Sequence, residues 1–150
     1  MLIMRYVLKE GRLRMTRPKL QVVVVTGERG QAPELLGILS SLTYTGVTVP
    51  SLAELEDCLP LSPHVAVILD LDTVRPTPST LRGLKKRYPS LHFMGISSQA
   101  YHPGMEEVIG SHLYACLVRP VDAEELGFWL KTIAENLAEA EFSRESEERV

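Results

Sequence analysis

The sequence predicts an α/β domain in which helices cover both faces of a five-stranded parallel sheet, and three observations lead to this class. Five short runs rich in Val, Leu and Ile indicate strands, and two of them, 21–25 and 65–69, are almost continuously apolar, which indicates strands buried on both faces. Segments with apolar residues three and four positions apart follow these runs and indicate helices. The connections are short, and strands that alternate with helices in this way form parallel sheets through right-handed crossovers.

The predicted strands end at residues that leave or break a sheet. The first apolar run ends at Thr26-Gly27, and Pro50 stops the second. The third run leads into Asp70, a polar residue at the end of an otherwise apolar segment. We therefore predict strands at 21–25, 47–49, 65–69, 91–96 and 113–118.

The predicted helices begin at residues that favour a helix N-terminus. Pro33 suits a first turn, and Ser51 followed by Glu54 forms a capping box. Asp122 followed by Glu125 gives the last helix the same signal. We therefore predict helices at about 33–42, 51–59, 79–87, 105–109 and 122–137. The apolar stripe of the last helix consists of Leu126, Leu130, Ile133 and Leu137.

Length and composition indicate one domain at 20–138, between a basic N-terminal arm at 1–19 and a charged tail or helical linker at 139–150. The chain of 150 residues is long enough for one full core, and 45 % apolar with 23 % charged residues is usual for a soluble globular protein. No run approaches the ~18 apolar residues of a membrane span. Arg5 and Lys9 interrupt the apolar opening too early for a secretory signal. We therefore expect a cytoplasmic protein without membrane contact.

Charge is unevenly distributed along the chain. Residues 1–20 carry six Lys or Arg against Glu10 alone, whereas 135–150 carry six Glu against two Arg. A basic head of this kind either contacts nucleic acid or an anionic lipid surface, or it is a solvated arm or an upstream extension that precedes a later start such as Met15. We favour the solvated arm or extension over a binding role, and we expect no direct nucleic-acid contact from the domain itself.

Patterns typical of metal sites and nucleotide loops are absent from the sequence. The four histidines show no HExxH-like spacing, and Cys58 and Cys116 form no CxxC pair, so we predict no metal site and two small buried cysteines. A glycine pair follows the first strand, but neither GxGxxG nor GK[ST] is present. We therefore expect neither a nucleotide loop nor an enzyme.

Chemistry on an open parallel sheet collects at the carboxyl ends of its strands. In this sequence acids, hydroxyls and one cation follow the predicted strands, a set suited to handling phosphate. These residues are Thr26, Gly27, Glu28, Asp70, Asp72, Ser97, Ser98, Arg119 and Pro120.

Four segments resemble the receiver domains (CheY-like) of bacterial two-component response regulators. They are VVVVTGE, VAVILDLD after Pro63, MGISS, and ACLVRPVDAEEL, which is similar to the family's hydrophobic-x-Lys-Pro-x-Asp-x-x-Glu-Leu signature. The resemblance covers 20–138, and it rests on the order and spacing of the four segments together. The resemblance implies a doubly wound, flavodoxin-like sheet with strand order 2-1-3-4-5, and a part in phosphorelay signal transduction.

The resemblance also assigns candidate site residues. The family's phosphoacceptor aspartate falls on Asp70, with Asp72 as the alternative because Pro76 lies four residues beyond it, as in the family's loop. The family's hydroxyl residue after the fourth strand falls on Ser97. Its basic residue after the fifth strand, followed by proline, falls on Arg119.

Three departures from the family's pattern point away from phosphorylation. The acidic pair that holds Mg²⁺ falls on Thr26 and Gly27, which carry no carboxylate, and the family often has a glutamate at the position of Glu28 beside an intact pair. Mg²⁺ requires near-octahedral oxygen ligation, usually with carboxylates. Arg119 carries a wide, planar guanidinium, whereas the family has a lysine, whose ammonium is a compact point charge. The aromatic switch residue falls on Cys116.

The favoured interpretation is an atypical receiver, or pseudo-receiver, that signals through protein–protein contacts without Mg²⁺ or another cofactor. We expect Arg119 to pair with Asp70 or Asp72 in place of the metal. One alternative is a receiver phosphorylated on Asp70 by a histidine kinase with Mg²⁺. The other is a flavodoxin-like domain that binds a small anion near Arg119 and Ser97. The missing acidic pair separates the first two, and the missing phosphate loop counts against the third.

Large aromatic side chains mark a predicted interaction surface on the last strand and helix. Phe128 lies about 200° around the helix from Leu126, so Phe128 and Trp129 cannot both face the core. Exposed aromatic side chains often supply much of the binding energy of an interface. We predict that Tyr114, Phe128 and Trp129 contact a protein partner. The candidates are a histidine kinase, an output domain, or a second copy of the chain in a homodimer through the last helix.

Overall fold

The protein contains a small antiparallel sheet followed by a larger parallel one. The structure, a computed structural model, describes the backbone of 5–9, 12–16, 21–27, 32–61, 66–99 and 104–148, and side chains within 21–27, 32–60, 66–99 and 104–136. In the segment predicted as a basic arm, β1 (Arg5–Lys9) pairs antiparallel with β2 (Arg12–Thr16).

The larger sheet has five strands, all parallel. They are β3 (Gln21–Val25), β4 (Thr45–Val49), β5 (Ala66–Asp70), β6 (His92–Ser97) and β7 (Ala115–Val118), in the order β4-β3-β5-β6-β7. Counted along this sheet, the order is 2-1-3-4-5, which confirms the predicted topology. The second strand begins two residues earlier than predicted, at Thr45, because Gly46 gave no strand signal yet pairs with Val22. The fifth begins two residues later, at Ala115.

Four α-helices connect or follow these strands. They are α1 (Ala32–Ser41), α2 (Leu52–Cys58), α3 (Pro78–Arg87) and α4 (Ala123–Glu148), with a 3-10 turn at Leu59–Leu61. Ser51 accepts a hydrogen bond from Glu54 N at 3.3 Å, and Asp122 accepts one from Glu124 N at 3.0 Å, so both predicted caps are present. The described part of the chain contains no helix with the length and apolar character needed to cross a membrane.

The predicted short helix near 105–109 is present: residues 106–107 are α-helical and continue into a π-helical turn, Val108–His112, before β7. Gly110 and Ser111 fall inside this segment, and both residue types favour an α-helix less than alanine or leucine does. The helical segment therefore stays short, and the apolar contacts of Val108 hold it against the sheet.

The core consists of two apolar layers, one on each face of the sheet. Val22 and Val24 face the layer formed with α1 and α4, whereas Val23 and Val25 face the layer formed with α2 and α3. This division explains why the first strand is apolar throughout. Of the predicted stripe on α4, Leu126, Leu130 and Ile133 are fully buried, and the side chain of Leu137 lies outside the described residues. The cysteines Cys58 and Cys116 are half-buried rather than buried, and both have free thiols.

A glycine in the middle of β6 provides a test of this packing. A Cβ at Gly95 would come within 2.8 Å of Leu113 Cδ1 and 3.0 Å of Leu71 Cδ1, and Leu71 is itself fully buried. We expect Gly95→Ala to lower the free energy of unfolding by about 1–3 kcal/mol, because the core must move to accept the methyl group. The matched control is Gly83→Ala in α3, where nothing lies within 4 Å of the added atom. This change should raise stability by about 0.5–1 kcal/mol. Urea denaturation measures both, and a neutral Gly95→Ala would contradict the described packing.

Candidate functional site

The polar residues predicted at the strand ends meet at one edge of the sheet. Asp70 is the last residue of β5 and Ser97 the last of β6, while Thr26 follows β3 and Arg119 follows β7. Since all five strands are parallel, their carboxyl ends lie on the same edge. The Arg119–Pro120 peptide bond at this edge is cis.

The carboxylate of Asp70 is buried and fully engaged. Only 2 % of Asp70 is exposed. Its Oδ2 accepts hydrogen bonds from Thr26 Oγ1 at 2.7 Å and Thr73 Oγ1 at 3.1 Å. Its Oδ1 accepts from Asp72 N at 3.1 Å and Arg119 Nη1 at 3.2 Å. Four donors therefore surround this carboxylate, as expected for an ionised group held away from water.

Arg119 bridges the two aspartates. Its Nη1 lies 3.2 Å from Asp70 Oδ1 and 2.5 Å from Asp72 Oδ2. The carboxylate of Asp72 also accepts hydrogen bonds from Ser98 N and from Ser98 Oγ at 3.0 Å. The ion pair predicted from the sequence is present, and it involves both aspartates rather than one.

The environment of Asp70 favours its charged form. Burial by itself would raise the pKa of the Asp70 carboxyl, but the hydrogen bonds from Thr26 and Arg119 and the positive charge of Arg119 outweigh burial, so the pKa lies below the usual value for aspartate. At neutral pH the carboxylate is therefore ionised, and the guanidinium of Arg119 compensates its charge.

Thr26 and Gly27 stand where the resemblance places an acidic pair, and both form hydrogen bonds at this site. Thr26 donates its hydroxyl proton to Asp70, and Gly27 N donates to Thr73 Oγ1 at 2.9 Å. A Cβ at Gly27 would lie 3.3 Å from Thr73 Cβ, so a larger residue would crowd Thr73. Glu28 lies outside the described residues.

Thr73 is the one residue of this cluster that the sequence analysis did not single out. Its hydroxyl contacts Asp70, three residues earlier, and the backbone of Gly27, 46 residues earlier in the sequence. The available signal was a hydroxyl residue three positions after Asp70, in a turn that brings side chains back to the strand end.

The hydroxyl of Ser97 forms its hydrogen bonds within the turn that follows β6. Ser97 is fully buried, and its Oγ donates to Gln99 O at 2.7 Å and accepts from Gln99 N at 2.9 Å. These contacts fix the turn after β6, which also carries the Ser98 groups that hold Asp72.

The described donors do not fit a divalent cation. Among the described residues, no three His, Cys, Asp or Glu side chains are grouped so that they could hold a metal ion. The two carboxylates present share the guanidinium of Arg119, which already neutralises part of the charge that a cation would require.

The predicted aromatic surface forms a continuous row of rings. Tyr114 contacts Trp129 edge-on with ring centres 5.7 Å apart, and Trp129 contacts Phe128 at 5.1 Å. Tyr114 and Trp129 are half-buried, whereas Phe128 is 60 % exposed. Phe128 and Trp129 therefore do not both face the core, in agreement with the helical spacing. We refer to Tyr114, Trp129 and Phe128 as the aromatic row.

Comparison with known proteins identifies the fold. No protein-family model and no curated protein matches the chain, but solved structures do. The signal receiver domain of an HD domain-containing protein from Pseudomonas fluorescens is 20 % identical, with a TM-score of 0.68 and coverage of 79 % of this chain and 97 % of that one. A response regulator receiver domain protein from Clostridium thermocellum is 16 % identical, with a TM-score of 0.65 and coverage of 79 % and 97 %.

A third match carries a metal. The receiver domain of a sensor histidine kinase from Pseudomonas aeruginosa, solved with a magnesium ion coordinated in its active-site cleft, is 15 % identical, with a TM-score of 0.64 and coverage of 78 % and 99 %. The chain therefore has the fold of response-regulator receiver domains, as its sequence resemblance implies.

The bridge formed by Arg119 should be important for stability. We expect Arg119→Ala to lower the free energy of unfolding by about 3 kcal/mol, because it leaves the buried carboxylate of Asp70 without its counter-charge. The control is Arg87→Ala, which removes an exposed pair with Glu56 at 2.9 Å and should cost no more than about 1 kcal/mol. Chemical denaturation at neutral pH compares the two. Equal losses would mean that the bridge does not support the buried carboxylate.

Proposed function

We propose that this chain, which has the receiver fold, is an atypical receiver domain that signals through protein contacts without Mg²⁺-dependent phosphorylation. The observation that carries the proposal is the bridge from Arg119 to Asp70 and Asp72. In a receiver that is phosphorylated, a divalent cation neutralises the charge that develops as phosphate transfers to the aspartate. Here an arginine of the chain itself provides positive charge at that place.

The hydrogen bonds around Asp70 support the same proposal. An attacking carboxylate oxygen needs a free lone pair directed at phosphorus, yet both oxygens of Asp70 accept two hydrogen bonds each. With only 2 % of the residue exposed, a phosphodonor has little access to it. The role that remains for this edge of the sheet is to fix one conformation of the domain.

A receiver that is not phosphorylated transmits information through its surfaces, and the aromatic row is the candidate. Phe128 exposes 60 % of its surface at one end of the row, and Val118 exposes 47 % on the neighbouring edge strand β7. Aromatic side chains in such positions provide large contact area at low entropic cost. The partner in this proposal is a protein: a histidine kinase, an output domain or a second copy of the chain.

A phosphoacceptor receiver is the second candidate. Asp70 ends the central strand beside a buried hydroxyl residue, Ser97, and one fold neighbour holds magnesium in its cleft. For this chain, the candidate requires Arg119 to leave the two aspartates and Glu28 to provide the missing carboxylate. The third alternative, a small anion near Arg119 and Ser97, has less support, because two carboxylates already surround the guanidinium.

Titration with Mg²⁺ and beryllofluoride, a phosphate mimic, tests the proposal. We expect no saturable change in the melting temperature or in the amide spectrum of the wild-type chain at millimolar Mg²⁺, because Thr26 and Gly27 supply no carboxylate. Saturable binding that Asp70→Asn abolishes would contradict the proposal and favour the phosphoacceptor receiver.

A gain-of-binding variant sharpens this test. Thr26→Asp combined with Arg119→Lys adds a carboxylate beside Asp70 and replaces the bridging fork by a point charge. This variant should bind Mg²⁺ where the wild type does not. The control, Thr45→Asp with Arg87→Lys, makes the same charge change at exposed positions away from the site and should leave Mg²⁺ binding absent.

Sedimentation tests whether the aromatic row mediates self-association or partner binding. We expect Phe128→Ala to weaken self-association or partner binding by about tenfold or more, because aromatic anchors cost at least ~1.4 kcal/mol when truncated. The control is Val47→Ala, which removes an exposed apolar side chain from the opposite edge strand β4. A strictly monomeric wild type that recruits no partner through Phe128 would contradict the assignment of this face.

A further inference from the structure

A second polar cluster lies at the opposite edge of the sheet from Asp70. A cavity of about 230 Å³ opens there between α3, the first residues of β6 and the segment that joins the π-helical turn to β7. Its lining residues are Leu81, Lys85, Leu91, His92, Phe93, Ser111, His112, Leu113 and Tyr114. Because these residues surround the amino ends of β6 and β7, the cavity is separate from the candidate site described above.

The cavity combines an apolar floor with a cationic and hydroxyl rim. Leu81, Leu91 and Phe93 are at most 3 % exposed and form part of the core. Lys85, His112 and Ser111 contribute groups that donate hydrogen bonds. Among the described residues, no acidic side chain lines the cavity.

Lys85 has no carboxylate partner in the part of the chain that the structure describes. Within the described residues, the ion pairs involve Arg82, Arg87 and Arg119, so no carboxylate lies within 4 Å of the Lys85 ammonium. Its Nζ donates instead to the backbone carbonyl of Leu91 at 2.5 Å. Lys85 is exposed as a whole residue, but partial desolvation of its ammonium group lowers its pKa. An anion in the cavity would relieve this cost.

From this geometry we propose that the cavity binds a small organic anion, a carboxylate or phosphate ester on a single-ring or short apolar body. Lys85 provides the counter-charge, His112 and Ser111 donate hydrogen bonds, and the apolar floor receives the body. The volume lies below the roughly 300–1,000 Å³ of pockets for drug-sized ligands, so the ligand is compact. The inference goes beyond the proposed function and does not depend on it.

The cavity also touches the aromatic row. Tyr114 lines the cavity and contacts His92 edge-on, with ring centres 5.5 Å apart, and on its other side it contacts Trp129 at 5.7 Å. Trp129 is the only tryptophan of the chain. A ligand that shifts the ring of Tyr114 would therefore change the fluorescence of Trp129, next to the exposed Phe128.

Binding of benzoate, phenyl phosphate and the neutral benzyl alcohol to the full chain tests this inference. Amide chemical shifts locate the site, and tryptophan fluorescence follows saturation. We expect benzoate or phenyl phosphate to bind saturably with shifts centred on Lys85 and Tyr114, and benzyl alcohol to bind about tenfold more weakly, the value of one charge-assisted contact. The two anions distinguish a carboxylate from a phosphate head group.

Paired lysine variants separate a specific site from general attraction. Lys85→Met keeps the apolar stem, removes the charge and should weaken anion binding about tenfold. Lys86→Met makes the same charge change at the next residue, which does not line the cavity, and should leave binding within about twofold. If Lys85→Met does not fold, Ser111→Ala and His112→Gln should weaken the anions without weakening benzyl alcohol. The inference is overturned by absent saturation, by equal binding of the alcohol, or by equal losses in the two lysine variants.

Discussion

The buried carboxylate of Asp70 imposes the main constraint on the carboxyl edge of this sheet. An ionised group that is 2 % exposed must be compensated by hydrogen bonds and by opposite charge, since an unpaired charge in the interior is very costly. Thr26, Thr73 and the backbone of Asp72 provide hydrogen bonds, and Arg119 provides the charge. Asp72 and Thr73 lie in the loop after β5, whereas Thr26 follows β3 and Arg119 follows β7, so the carboxylate joins the ends of these three strands.

The same arrangement accounts for the proposed loss of phosphoryl chemistry. A metal-dependent receiver needs acidic ligands for a cation and an aspartate oxygen that can reach phosphorus. In this chain a guanidinium lies between Asp70 and Asp72, and a threonine hydroxyl occupies the position of an acidic residue. The carboxylates of Asp70 and Asp72 are hydrogen-bonded within the protein, and the proposed function rests on this pairing.

The two ends of the sheet therefore have different proposed roles. The carboxyl edge is closed by its own ion pairs, whereas the amino edge contains a cavity in which Lys85 has no carboxylate partner among the described residues. Tyr114 and Trp129 connect this cavity to Phe128 on the surface. The two proposals together describe a domain that binds an anion at one edge and presents the response on α4, without chemistry at Asp70.

The sequence by itself determined the fold class, since burial of β3 on both faces requires a continuous apolar run and burial of one face of α4 requires the three-four stripe. It also identified Asp70 and Arg119, because residues that follow parallel strands must converge on one edge. Only the tertiary structure decided that Arg119 bridges both aspartates and that Thr73 joins Asp70 to Gly27. These contacts depend on the paths of loops far apart in sequence, which no local periodicity encodes. The sequence predicted a short helix near 105–109, but not its π-helical form at Val108–His112: where local helix propensity is weak, packing against the sheet decides the conformation.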